Sequence, residues 1–129
     1  MKLKQQVCSL ELAKRLKELG VKQESLFYWY NKDDRNFLSE MTPNYSVTDG
    51  FIPFSAFTVA ELGEMLPNIV MKDEQDWWFE TLKNGSGTSW MVCYEAKDES
   101  DVIVFHADTE ADARAKMLIY LLENNLITL

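Results

Sequence analysis

Apolar residues recur at helical spacing near both ends of the chain and cluster or alternate between them. Near the N-terminus, Leu12, Leu16 and Leu19 repeat at i, i+4 and i+7 with Ala13 beside them, which predicts one apolar helix face. Ser9 is placed to cap that helix, Glu11 to pair with Arg15, and Gly20 to supply the left-handed residue that ends it. Residues 25–30 (Ser-Leu-Phe-Tyr-Trp-Tyr) are too aromatic for a surface helix and predict a strand. A turn at 31–34 and a short returning strand at 37–40 follow. Residues 41–50, with Pro43 and Gly50, read as a surface loop. Residues 51–57 are apolar but contain Pro53, which predicts an edge strand or an irregular segment.

Thr58-Val59-Ala60-Glu61 has the spacing of a capping box and predicts a short helix through Leu66, stopped by Pro67. Gly63 weakens that helix by roughly 1 kcal/mol relative to alanine, so packing must hold it. Three strands are then expected, at 77–82, 89–96 and 102–107, joined by turns at Asn84-Gly85-Ser86-Gly87 and at residues 97–101. In the second of these strands Trp90, Val92 and Tyr94 share a face. The final helix, 109–124, begins with Thr109 as its cap and has Glu110 and Asp112 in its first turn. Glu110–Arg114 and Asp112–Lys116 have ion-pair spacing. Its apolar face runs from small (Ala111, Ala115) to large (Leu118, Leu122), as a helix covering a sheet requires. The fold expected is a single α+β domain: an antiparallel β-meander with N-terminal, short middle and C-terminal helices packed on the sheet.

Composition narrows the class. At 129 residues, 47% hydrophobic and 12% aromatic, the chain fills a core and does not read as disordered. Neither a secretory leader after Met1-Lys2-Leu3-Lys4 nor a membrane-length apolar run is read, which predicts a soluble cytoplasmic protein. Cys8 and Cys93 sit in apolar settings outside any CxxC pattern and are expected to be reduced; a bridge between them is left open.

The net charge of -8 disfavours nucleic acid as a partner, but it is unevenly spread. Residues 1–30 carry six basic and three acidic side chains; the rest carries seven basic and eighteen acidic ones.

The candidate chemistry is sparse. His106 is the one histidine, with no partner residue or metal-ligand spacing to support it. The acidic runs Asp33-Asp34, Asp73-Glu74-Asp76 and Asp98-Glu99-Asp101 do not match a calcium loop and read as solvated turns. No catalytic residue, metal site or cofactor is assigned. The four tryptophans, Trp29, Trp77, Trp78 and Trp90, are the candidate binding residues. Trp77 and Trp78 must point to opposite faces of a strand, so one can be core while the other is exposed or covered by something else.

Residues 9–30 also echo a helix-turn-helix, through Leu19-Gly20-Val21, Ser25-Leu26 and Trp29 and a locally basic charge. Against it, Leu16 stands where a small residue is wanted, and the second helix would lack arginine.

Three stretches, 8–23, 56–67 and 109–124, together resemble small uncharacterised proteins encoded by bacteriophages and prophages. The resemblance coincides with the three helices and implies a phage or prophage origin and a bacterial host cytoplasm; it carries no functional residue. The function expected is a non-enzymatic protein-interaction or ligand-binding module acting on a host or phage protein, its acidic surface suited to a basic partner. The alternative is a DNA-binding regulator using residues 9–30.

Overall fold

The computed structural model describes residues 2–40, 50–84 and 89–129. Residues 41–49 of the expected 41–50 loop and the Gly85-Ser86-Gly87 part of the expected turn lie outside the described residues. The observed order is α1 (Leu10–Glu18), β1 (Tyr28–Lys32), β2 (Arg35–Ser39), β3 (Ile52–Ser55), α2 (Val59–Met65), β4 (Ile69–Lys72), β5 (Gln75–Lys83), β6 (Trp90–Ala96), β7 (Val102–Ala107) and α3 (Glu110–Glu123).

The helices end as their sequences dictate. Ser9 caps α1 by accepting from the Leu12 amide. Gly20, at φ 89°, closes it: its amide donates to Lys17 and the Val21 amide donates to Leu16, a Schellman arrangement. Asn125, at φ 56°, ends α3 the same way, with bonds from Asn125 to Leu122 and from Leu126 to Leu121. The Thr58–Glu61 capping box forms in both directions, at 3.2 and 2.9 Å. Glu61 also accepts from the Leu26 amide, which fastens α2 to the segment before β1.

The α+β fold and its meander are as expected, and the strands divide into two antiparallel sheets. The larger has the order β4-β5-β6-β7; the smaller has the order β2-β1-β3. Pro53 lies in β3, an edge strand, where its missing N–H costs no central ladder bond.

Three expectations need correction. The meander has a fourth strand, β4, which the sequence hid because its turn carries no glycine. Asp73 (φ 53°) and Glu74 (φ 65°) take the left-handed conformations of the two-residue turn instead. Second, strand structure begins at Tyr28, not at residue 25, and continues to Lys32 as the centre of the smaller sheet. The second helix of a helix-turn-helix is therefore not formed. Third, two expected ion pairs are replaced. Arg15 bonds Glu18 and, across the fold, Glu123 rather than Glu11. Asp112 accepts from the Ser9 amide, while Lys116 donates to the His106 carbonyl.

One face of the large sheet forms the core with α3. Val70, Trp77, Val92, Tyr94 and Ala96 are buried there. α3 crosses β6 and β7, with the Tyr120 ring 5.6 Å from Phe105 and the Arg114 guanidinium 5.5 Å from Phe79. Ala111, Ala113 and Ala115 are fully buried, so α2 can approach α3; Met117, Leu118 and Leu121 then fill the deeper space. Each such large side chain contributes roughly 1.5–3 kcal/mol by leaving water. α1 packs on α3 and β3. All three helices therefore lie on the core side of the molecule, and no helix covers the other face of the large sheet among the described residues.

Candidate functional site

That second face is built by strand alternation. Trp77 points into the core and is 1% exposed; Trp78, its neighbour, points out and is 52% exposed. The β4–β5 register sets Ile69 opposite Trp78. The β5–β6–β7 register sets Glu80, Cys93 and Val104 in one row and Trp78, Glu95 and Val102 in the next. Leu82, Met91 and His106 form a third row. Six large apolar side chains on this face, Ile69, Met71, Trp78, Leu82, Val102 and Val104, are 38% to 61% exposed. Four strands about 4.8 Å apart and about 17 Å long give a face of roughly 300–400 Å². Glu80, Glu95 and His106 interrupt its apolar side chains, and clustered apolar exposure with polar residues around it marks an interaction surface more often than scattered exposure does.

A concavity of about 500 Å³ lies on this face where β6 meets β7. Leu82, Met91, Cys93, Val102 and Val104 line it, and Glu80, Glu95, Glu99 and Asp101 bring carboxylates to it. The Cys93 thiol lies 4.0 Å from Glu80. Burial, and then the Glu80 and Glu95 charges, push that thiol above its ordinary value, so it stays protonated and weakly nucleophilic. None of these four carboxylates makes a salt bridge with a described residue.

The outer edge of β7 is guarded. The Asp101 carboxylate accepts from the Val102 amide at 2.8 Å, and the Lys116 ammonium donates to the His106 carbonyl at 3.0 Å. Alternation from the Ala96–Asp101 bond directs these two backbone groups away from β6, toward solvent. Capped edge groups oppose the addition of another strand.

The four tryptophans do not come together. Trp29 is buried and donates to the Cys8 carbonyl at 2.8 Å. Trp77 donates to the Lys72 carbonyl at 2.9 Å, with the Lys72 ammonium 4.8 Å from its ring. Trp90 is half-buried on the core side at the start of α3, with Lys83 over its ring. Only Trp78 of the four stands on the open face. Its neighbours there, Ile69, Met71, Leu82, Val102 and Val104, were not singled out from sequence. Their signal was present, since each shares the two-residue period of Trp78, Glu80 and Leu82, but it becomes a surface only once the register is known.

The other candidate chemistry is dispersed. The acidic runs fall in or beside turns, with Asp76 already in β5, and among the described residues no group of three or more His, Cys, Asp or Glu side chains is arranged to hold a metal. His106 stands on the open face beside Met91 and Leu82. Cys8 is buried against the Phe57 carbonyl and its thiol is pushed up to about 12, chiefly by burial. Both cysteines are free. No helix among the described residues is long and apolar enough to cross a membrane.

Comparison with known protein families, with curated proteins and with solved structures finds no match to this chain.

Proposed function

We propose that this chain is a non-enzymatic interaction module that docks a partner protein on the open face of its large sheet. The observation that carries the reading is the alignment of six exposed apolar side chains, Trp78 among them, on one sheet face that no described element covers. Apolar surface of this kind is stabilised by leaving water, at about 25 cal/mol per Å². The resemblance of the three helices to phage and prophage proteins makes the partner a host or phage protein met in the bacterial cytoplasm. The DNA-reading alternative loses its reading element, because Tyr28–Lys32 is the central strand of a sheet.

Photo-crosslinking in a bacterial host tests this. A photoreactive residue at position 104, on the open face, should trap a discrete partner; the same residue at position 14, on α1, should not. Trp78→Ser should abolish trapping from position 104 while leaving the fold intact. Equal trapping from positions 104 and 14, or trapping indifferent to Trp78→Ser, would remove the reading.

A further inference from the structure

We infer that the occupant of this face is a cationic amphipathic helix of the partner protein, with an arginine or lysine side chain seated in the concavity between β6 and β7; this rests on the docking reading above. The face is largely apolar, but Glu80 and Glu95 stand within it, Glu80 beside Cys93 and Glu95 between Trp78 and Val102. Any occupant that covers the face takes these two carboxylates out of water. An uncharged occupant leaves them buried and unpaired, which is costly. An arginine or lysine offers the matching shape: an alkyl stem to lie along Leu82 and Val104, and a charged head to meet Glu80 and Glu95.

Size points the same way. A standard interface buries about 800 Å² on each partner, roughly twice the area of the open face. The partner must therefore extend onto the rim, and the rim at the β6–β7 turn carries Asp98, Glu99 and Asp101. A second copy of this chain fits poorly. Two such faces stacked on one another would bring four carboxylates, Glu80 and Glu95 of each copy, into one interface. A strand added at β7 is disfavoured by its capped edge groups. A helix, by contrast, would repeat on this side what α3 does on the other, giving a three-layer arrangement.

The probe is a set of labelled amphipathic helical peptides, about 18 residues long, with leucine on one face. Their polar face is lysine and arginine in one peptide, glutamine in the second and glutamate in the third. Binding is read by fluorescence anisotropy against the full chain. The basic peptide should bind, and raising salt should weaken it. The paired change Glu80→Gln and Glu95→Gln should weaken it by about tenfold or more. The paired change Asp33→Asn and Asp34→Asn removes the same charge from the β1–β2 turn of the other sheet and should change affinity less than about twofold. Trp78→Ser should remove binding.

Equal loss in the two charge pairs would reduce the effect to bulk attraction and overturn the inference. Equal binding of the basic and glutamine peptides, abolished by Trp78→Ser, would overturn the cationic occupant while leaving the docking face standing. No binding by any peptide would also overturn the inference, and the crosslinking from position 104 would then decide the docking face alone. Sedimentation showing a dimer that Trp78→Ser converts to a monomer would assign the face to a second copy and overturn both.

Discussion

The carboxylate of Asp112, in the first turn of α3, accepts a hydrogen bond from the backbone amide of Ser9, the cap of α1, at 2.7 Å. Asp112's own amide donates to Thr109, and Ser9's hydroxyl accepts from Leu12, so the starts of two helices 103 residues apart in sequence are fixed to each other. Burial is the largest influence on this carboxyl and raises it above 3.8; the bond from Ser9 and the charge of Lys116 oppose that.

The folded-state value lies above the unfolded one, so the folded chain holds this proton more tightly. The contribution of Asp112 to stability is greatest below 3.8 and is lost as pH rises through the folded value. Asp98 acts in the opposite sense, being lowered by its bonds from Ser100. Asp112→Asn, which keeps an acceptor for Ser9, is therefore expected to match or exceed the parent in stability at pH 7. Asp112→Ala, which leaves the Ser9 amide without its partner, should cost about 1–3 kcal/mol. Urea unfolding of the three proteins between pH 3 and 7 separates these effects.

Gly63 sits in α2 for a reason that helix propensity does not supply. A Cβ there would lie 2.5 Å from Nη1 of Arg114, whose guanidinium is held by Glu110 at 2.7 Å and lies over Phe79. Gly63→Ala should therefore be neutral or destabilising, although alanine favours the helix by about 1 kcal/mol. In an Arg114→Ala background the same change should stabilise by up to that amount. A double-mutant cycle read by thermal unfolding checks the coupling.

Glu74 holds φ 65° in the turn between β4 and β5. A side chain in this region is strained by an amount on the order of 1 kcal/mol, which glycine avoids. Glu74→Gly is expected to raise stability by no more than about 0.6 kcal/mol, because the greater freedom of glycine in the unfolded chain offsets most of the relief. Equilibrium denaturation gives the value directly.

The helices were legible because their signals are local. Ser9, Gly20, the Thr58–Glu61 box and Thr109 act through backbone groups within a few residues of themselves. Long-range partners were not legible. Arg15 prefers Glu123 over Glu11, and Asp112 prefers the Ser9 amide over Lys116, because tertiary packing brings those groups closer than the helix surface does. β4 was hidden by a turn written Asp-Glu where strand alternation suggests Asn-Gly. The site was half legible. The opposed faces of Trp77 and Trp78 follow from strand geometry alone, but which indole is exposed depends on where α3 lies.

Those two adjacent indoles carry the most direct test. Trp77→Ala removes a core side chain and should cost about 3–5 kcal/mol. Trp78→Ser removes one that is half exposed, and should cost about 1 kcal/mol, well below the Trp77 change. The decisive measurement is thermal unfolding of Trp78→Ser alongside its crosslinking from position 104 in the bacterial host. The expected result is a melting temperature lowered far less than by Trp77→Ala, with the partner crosslink lost; a crosslink kept at parental yield would contradict the docking face.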